Sequence, residues 1–157
     1  MYIHIIKIKL TFKATILKIE HCFNLAMRKS SRLITQFYDE RFSPLGLKVG
    51  QFSILRVVDI CKVTTNKELQ HHLVIDQTTL SRNLKPLIRD GLLSLSIDPN
   101  DQRVKNICLS AEGRKLYQQA LPLWHEAQQE LCKKLGEDDA EKILSLSDAF
   151  VKALSTS

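Results

Sequence analysis

Two helix-start signals in close succession restrict the fold of this chain most strongly. The segment TNKE, from Thr65 to Glu68, is a capping box in which the hydroxyl and the carboxylate each satisfy a free backbone N–H of a new helix. Asp76 is a second N-cap residue, and three leucines follow it at helical spacing. The pattern predicts two short helices joined by about three residues, which is the spacing of a helix-turn-helix.

Two short runs of alternating apolar and polar residues follow these helices. Gly91 is typical of a residue that ends a helix, and the segment 93–97 then alternates as LSLSI. Turn-forming residues occupy 98–101, and the run from Val104 to Leu109 is again typical of an extended strand. The sequence therefore predicts a β-hairpin directly after the helix-turn-helix, and this order of elements defines a winged helix.

Helical spacing of apolar residues also predicts long helices on both sides of this unit. One helix is expected from Glu20 to Phe42, and a second has the sequence QFSILRVVDIC at 51–61. Beyond the hairpin, Ser110 caps a long helix that Pro122 is expected to bend, and Asp138 or Asp139 caps a final helix. The predicted fold class is mainly α with a small β-hairpin, an α+β architecture.

Composition limits the classes of partner and compartment. With 157 residues, of which 44% are hydrophobic, the chain is long enough for one packed domain with an extension. A formal net charge of +6 favours an anionic partner, although charge alone does not distinguish DNA from RNA or an acidic protein. The four cysteines form no C-x-x-C pair, so we expect no metal site, no disulfide framework and a reducing, cytoplasmic location. No run is apolar enough to predict a membrane span.

The first 18 residues allow three interpretations. Apolar and polar residues alternate from Ile6 to Lys13, which is a strand period, while lysines interrupt any signal-peptide core. The segment 1–18 is therefore an extension of unknown order: an N-terminal arm, a short edge strand, or residues upstream of the true start codon.

Three segments resemble the MarR family of bacterial regulators. They are YDERFSPLGLKVGQFSILRVV at Tyr38–Val58, KELQHHLVIDQTTLSRNLKPLIRDGLL at Lys67–Leu93, and DPNDQRVKNICLSAEGRKL at Asp98–Leu116. The resemblance implies a homodimeric winged helix-turn-helix transcription regulator, usually a repressor, on a pseudo-palindromic operator in double-stranded DNA. It also implies that 19–47 and 110–157 contribute dimerisation helices, that 48–109 is the DNA-binding lobe, and that a small-molecule effector is one route of release.

The second helix of a helix-turn-helix enters the major groove, so its first turns supply the candidates for base contact. Glutamine can pair with adenine, arginine with guanine, and threonine with a thymine methyl group or a phosphate. One turn further along, Lys85 is expected to meet phosphate. A polar surface that faces only solvent is the alternative, but the hairpin that follows favours DNA. The candidates for base contact are Gln77, Thr78, Thr79, Ser81 and Arg82.

Further candidate contacts lie at the first of the two helices and in the hairpin. The free N–H groups near Thr65, Asn66 and Lys67 suit a phosphate, although a helix cap explains these residues equally well. Arg103 is the strongest candidate for a minor-groove contact and Lys105 a weaker one. Because a carboxylate would repel phosphate, we assign Asp101 to orienting Arg103.

Two further hypotheses concern regulation and partners. Cys22 lies where organic-peroxide sensors of the OhrR type carry their reactive cysteine, which predicts a thiol-based redox sensor. The tyrosines of that branch are absent at 48–52, and a buried structural cysteine is the alternative. A ligand cavity near Phe37, Phe52 and Trp124 is a separate expectation. A winged-helix protein-interaction module without DNA binding stays open, whereas no motif predicts an enzyme or a bound cofactor.

Overall fold

The computed structural model describes residues 22–155 of the chain. The chain divides into two compact units, residues 1–37 and 38–157. The described elements are, in order, α1 (Phe23–Phe42), a short 3₁₀ turn (Ser43–Leu45), α2 (Val49–Cys61), β1 (Thr64–Thr65), α3 (Asn66–Leu73), α4 (Gln77–Arg89), β2 (Leu93–Ile97), β3 (Lys105–Leu109), α5 (Ala111–Leu135) and α6 (Glu137–Ser155). The predicted mainly helical fold with a small sheet is confirmed, and the expected strand or arm at 1–18 lies outside the described residues.

The described part of the first unit is the beginning of α1. Its predicted apolar stripe includes Met27, Leu33 and Ile34, and all three side chains are exposed. These three side chains are therefore not buried by the residues that the structure describes.

The sheet of the second unit has a strand that the sequence did not predict. It has three antiparallel strands in the order β1-β3-β2, with Leu93 opposite Leu109 and Thr64 opposite Ile107. β1 is too short to show an alternating pattern, which explains why only the β2–β3 hairpin was predicted. Thr64 is buried, and this pairing connects the start of the helix-turn-helix to the base of the hairpin.

Aromatic rings form the centre of the core in the second unit. The ring of Phe52 in α2 lies 4.7 Å from that of Phe42, 5.7 Å from that of Tyr117 and 6.4 Å from that of Trp124, centroid to centroid. The Arg56 guanidinium covers Trp124 at 4.2 Å. The rings of Phe52 and Trp124, near which a ligand cavity was expected, pack on each other.

Two predicted helix starts are displaced for identifiable reasons. α2 begins at Val49, ahead of the predicted Gln51, because the Asp39 carboxylate accepts the Val49 N–H at 2.8 Å. Asp39 lies in α1, so the sequence around the start of α2 does not indicate this cap. The prediction that Asp138 or Asp139 caps the last helix is wrong, since both lie inside the first turn of α6. In the first turn their negative charges lie near the positive end of the helix dipole and stabilise the helix.

A tight junction joins the end of α4 to the start of α5. Gly91, with φ of 70°, donates to the Ile88 carbonyl, and the next N–H, of Leu92, donates to the Leu87 carbonyl. The Ser110 hydroxyl then donates to the Gly91 carbonyl at 2.6 Å and accepts the Gly113 N–H at 2.9 Å. A Cβ at Gly113 would lie 1.9 Å from the Leu92 carbonyl oxygen, so this position requires glycine.

We expect Gly113→Ala to lower the free energy of unfolding by about 2–3 kcal/mol, because the added methyl group must push the Leu92 backbone aside. The better helix propensity of alanine, about 1 kcal/mol, only partly offsets this. Urea denaturation followed by circular dichroism measures the change. Gln119→Ala, at an exposed position of α5, is the control and should change stability by less than about 0.5 kcal/mol. Equal stability of the two variants would contradict the steric explanation.

Candidate nucleic-acid interface

The two helices of the helix-turn-helix are each fixed at their first turn by side-chain caps. The Thr65 hydroxyl accepts the Glu68 N–H at 3.3 Å, and the Glu68 carboxylate accepts the Thr65 N–H at 2.8 Å. This backbone hydrogen bond lowers the pKa of Glu68 below its usual value. At α4, Asp76 accepts the Thr79 N–H at 2.8 Å. Both predicted caps are thus formed.

One face of α4 is buried and the other is open to solvent. Leu80, Leu84 and Leu87 are 5% exposed or less and pack into the lobe. Five of the six polar residues predicted to contact DNA from this helix lie on the exposed side: Gln77, Thr78, Ser81, Arg82 and Lys85. The exposed face of α4 therefore carries glutamine, serine and arginine side chains over its first turns, where a binding partner can contact them.

The remaining α4 candidate, Thr79, is engaged within the protein. Its side chain is half-buried, and its hydroxyl donates to the Asp76 carboxylate at 2.9 Å. The backbone and hydroxyl hydrogen bonds from Thr79 lower the pKa of Asp76. The structure therefore gives Thr79 a capping role, and its contact with DNA stays a prediction.

The predicted wing is a loop built around Asp98. Its carboxylate accepts the N–H groups of Asn100 at 2.8 Å and Asp101 at 3.2 Å, and the Asn106 amide at 3.1 Å. These hydrogen bonds, the one from Asn100 first, lower the pKa of Asp98. The sequence had placed Asp98 only among turn residues, whereas the structure makes it the organising residue of the loop.

Arg103 extends from this loop almost fully into solvent. Its side chain is 93% exposed, and its Nε lies 3.4 Å from the Asp101 carboxylate. Asp101 also accepts the Arg103 backbone N–H at 3.0 Å. The structure thus brings together the pair that the sequence predicted.

A groove separates α4 from the wing. Its volume is about 540 Å³. Apolar side chains and three cations, two of them predicted site residues, line it: Asn66, Ser81, Leu84, Lys85, Ile88, Arg89, Leu95, Lys105 and Ile107. The groove brings Asn66, Ser81, Lys85 and Lys105 to one surface, although these residues come from three different elements. Thr65 and Lys67 flank Asn66 at the start of α3.

Two polar residues of the candidate interface were not predicted from the sequence. Arg89 lines the groove, and its guanidinium pairs with Asp90 at 2.7 Å. Gln70, in α3, donates to Gln77 in α4 at 2.6 Å. Arg89 could have been found from helical spacing, because it lies one turn beyond Lys85. Nothing in the local sequence indicates the Gln70–Gln77 contact, since it depends on the angle between the two helices.

Cys22, the predicted redox residue, lies immediately before α1. Its side chain is exposed, and its carbonyl accepts the Ala26 N–H at 2.9 Å. Within the single chain Cys22 is therefore not a buried structural cysteine, which was the alternative interpretation. Among residues 22–155, no three histidine, cysteine or carboxylate side chains come together as a metal site would require.

Known proteins resemble the chain in both sequence and fold. The MarR family model matches residues 47–105. The HTH-type transcriptional regulator YwoH of Bacillus subtilis is 26% identical over 126 residues, covering 80% of this chain and 91% of the relative. The crystal structure of the M. tuberculosis transcriptional regulator MOSR with DNA shares 34% identity and a TM-score of 0.72, covering 85% of this chain and 98% of that one. The chain belongs to the MarR family.

A structure of E. coli MarR supports the same assignment. The complex of a cysteine-to-serine MarR mutant with operator DNA superimposes with a TM-score of 0.75 at 25% identity, covering 82% of this chain and 92% of that one. MarR-family members are transcriptional regulators, so the family confirms the prediction that this chain is not an enzyme. Within residues 22–155 of this MarR-family chain, no helix has both the length and the apolarity to cross a membrane.

The Asp76 cap gives stability a defined pH dependence. Because the pKa of Asp76 is lowered in the native state, its contribution is fully present above the unfolded pKa and is lost as the pH falls through the native pKa. We expect wild type to be more stable than Asp76→Asn near neutral pH. The difference should shrink as the pH falls below the unfolded pKa of this carboxyl and disappear once the pH has fallen through the lower native pKa. Urea midpoints measured across this range test it. Thr79→Val, which removes only the hydroxyl donor, should show a smaller pH-dependent loss, and a pH-independent difference for Asp76→Asn would contradict the prediction.

Proposed function

We propose that this protein is a sequence-specific DNA-binding transcriptional regulator that acts as a homodimeric repressor on an inverted-repeat operator. The observation that carries the proposal is the exposed polar face of α4 beside a wing whose Arg103 extends into solvent. MOSR and E. coli MarR, whose folds match this chain, have each been crystallised with DNA.

Base recognition is assigned to the first turns of α4. Gln77 suits adenine, because its amide can donate to N7 and accept from the N6 amino group. Arg82 suits guanine, whose O6 and N7 accept two hydrogen bonds from one guanidinium. Thr78 and Ser81 add hydroxyls on the same exposed face, and Thr79 lies beside them with its hydroxyl held by Asp76.

Affinity that does not depend on sequence is assigned to the surrounding cations. Lys85 and Lys105 line the groove between α4 and the wing, where a phosphate backbone would follow the groove edge. Thr65, Asn66 and Lys67 offer a second phosphate contact at the start of α3. We assign Arg103, whose Nε contacts the Asp101 carboxylate, to the minor groove, where a narrow width concentrates negative potential.

Dimerisation is supported by apolar surface of α6 that is exposed within the described residues, 22–155. α6 contains no buried residue over its full length, and Ile143, Leu144 and Leu146 are 47–69% exposed. Apolar helix faces of this extent mark sites of association, and an amphipathic helix is stabilised mainly by packing that face. A two-fold dimer would place two copies of α4 about 34–36 Å apart, one turn of B-DNA.

Repression and release complete the proposal. A dimer on its operator blocks access of the transcription machinery to the same DNA, and an effector would act by favouring a dimer in which the two α4 helices no longer match the half-site spacing. A small ligand is the first candidate for such an effector. Oxidation of Cys22 is the alternative, favoured by the exposure of its side chain.

Sequencing of DNA bound from a random duplex pool at two salt concentrations tests the proposal. We expect an inverted repeat with half-sites about one helical turn apart, and affinity that falls steeply with salt as counterions are released. Reduced protein, protein treated with a hydroperoxide, and hydroperoxide-treated Cys22→Ser are compared. Loss of binding that Cys22→Ser prevents would assign release to Cys22. Reduced protein that enriches no sequence would contradict the proposal and favour a protein-interaction module.

Two single substitutions in α4 should affect binding in different ways. Arg82→Ala removes a base contact, so we expect a loss of about 1–3 kcal/mol and relaxed preference at one base pair. Lys85→Ala removes a phosphate contact, so binding should weaken equally for all sequences and the salt slope should fall by about 1. Titration of labelled operator and of scrambled DNA separates the two effects.

The control is Lys115→Ala, which removes an exposed cation from α5. It should change neither the base preference nor the salt slope by more than a small amount. If Arg82→Ala and Lys85→Ala weaken operator and scrambled DNA equally, the assignment of Arg82 to base recognition is wrong.

A further inference from the structure

Three side chains from the two helices of the helix-turn-helix form one chain of hydrogen bonds. The Gln70 side-chain amide in α3 donates to Gln77 Oε1 in α4 at 2.6 Å. Gln77 Nε2 in turn donates to Ser81 Oγ at 3.0 Å. The end of this chain lies on the exposed face of α4, and its beginning is the half-buried Gln70.

The direction of the chain is set at Gln70. Its Nε2 also lies 3.3 Å from the Asn66 carbonyl of its own helix, so both contacts of this nitrogen are donations. The Gln70 backbone carbonyl accepts the Ile75 N–H at 3.2 Å, which anchors the residue in the turn between the helices. Gln70 is therefore held through its backbone and its side chain, and it can present only a donor to Gln77.

This donor determines which way the Gln77 amide faces. The oxygen of Gln77 must lie toward Gln70, and its nitrogen must lie toward Ser81. An amide oxygen has two lone pairs and an amide nitrogen has two hydrogens, so each retains capacity for one further hydrogen bond. The outer edge of Gln77 thus presents an acceptor on the α3 side and a donor on the Ser81 side, in a fixed order.

A fixed order of donor and acceptor is what adenine recognition requires. Adenine presents the N7 acceptor beside the N6 amino donor in the major groove, and a glutamine contacts both only when its amide faces the matching way. An exposed glutamine without an internal partner samples several rotamers and both amide orientations, and it loses that freedom on binding.

We propose that Gln70 is a positioning residue that determines the base preference of Gln77 by fixing the orientation of its amide. This inference rests on the proposed DNA binding and adds a specificity determinant in α3, outside the helix that contacts bases. By holding the acceptor of Gln77 on the α3 side and its donor on the Ser81 side, Gln70 selects one orientation of an A·T pair at that step of the half-site.

The test uses the full-length protein and the random duplex pool. Gln77→Ala first identifies the base pair that Gln77 contacts, as the position whose preference it abolishes. Gln70→Met keeps the length and helix propensity of the side chain and removes its donor. It should lower the preference for adenine at that base pair by about fivefold, the value of one neutral hydrogen bond, and leave other positions and the salt slope unchanged.

Two further variants distinguish positioning from a structural role. In the Gln77→Ala background, Gln70→Met should cause no additional loss of preference, since the residue acts only through Gln77. Gln70→Glu presents only an acceptor, so the Gln77 amide should reverse and the preferred base at that one position should change. The added negative charge weakens binding to all DNA. The base preference at the position that Gln77 contacts is therefore compared with the base preferences at the other positions of the same site. Gln118→Met, an exposed position in α5, is the matched control and should change nothing.

The outcomes separate this inference from the proposed function. If wild type enriches an inverted repeat and Gln70→Met leaves its base preferences unchanged, or reduces them equally at every position, the positioning role is overturned while the DNA-binding proposal stands. If wild type enriches no sequence, both are overturned. A loss confined to the base pair contacted by Gln77, and absent in the Gln77→Ala background, supports the positioning role.

Discussion

The close approach of α5 to the end of α4 is the constraint on which the rest of the second unit depends. With no side chain at Gly113, the first turn of α5 packs directly on the Leu92 backbone, and the Ser110 hydroxyl connects both segments. α4, the wing and α5 all meet at this point. The contact therefore sets where the wing begins, and it connects the base of the DNA-binding lobe to the long helix that follows.

The candidate interface combines a rigid frame with open side chains. Caps at Thr65 and Asp76 fix the starts of α3 and α4, and Asp98 holds the wing loop by accepting hydrogen bonds from three residues. The carboxylates that accept these backbone hydrogen bonds, those of Glu68, Asp76 and Asp98, do not favour contact with phosphate themselves. They fix the backbone that carries the arginines, lysines and amides. These exposed side chains are therefore available to contact a partner.

Apolar residues in this chain serve two different purposes. Those near Phe52 are buried by ring packing within the single chain. Those on α6 are exposed, and so are several in the described start of α1. Both groups show the same helical spacing in the sequence, because periodicity records which face of a helix is apolar and not what covers that face. Regulation through a dimer would make use of this second set.

The sequence alone determined the features that depend on neighbouring residues. The capping box at Thr65, the N-cap at Asp76, the order of helices and hairpin, the exposed polar face of α4 and the Asp101–Arg103 pair all arise from interactions over a few residues. The structure has all of them. Only the tertiary structure decided the start of α2, the pairing of β1, the groove and the Gln70–Gln77 contact. Each of these joins residues from different helices or strands, and it depends on how those elements pack against one another, which local patterns do not encode.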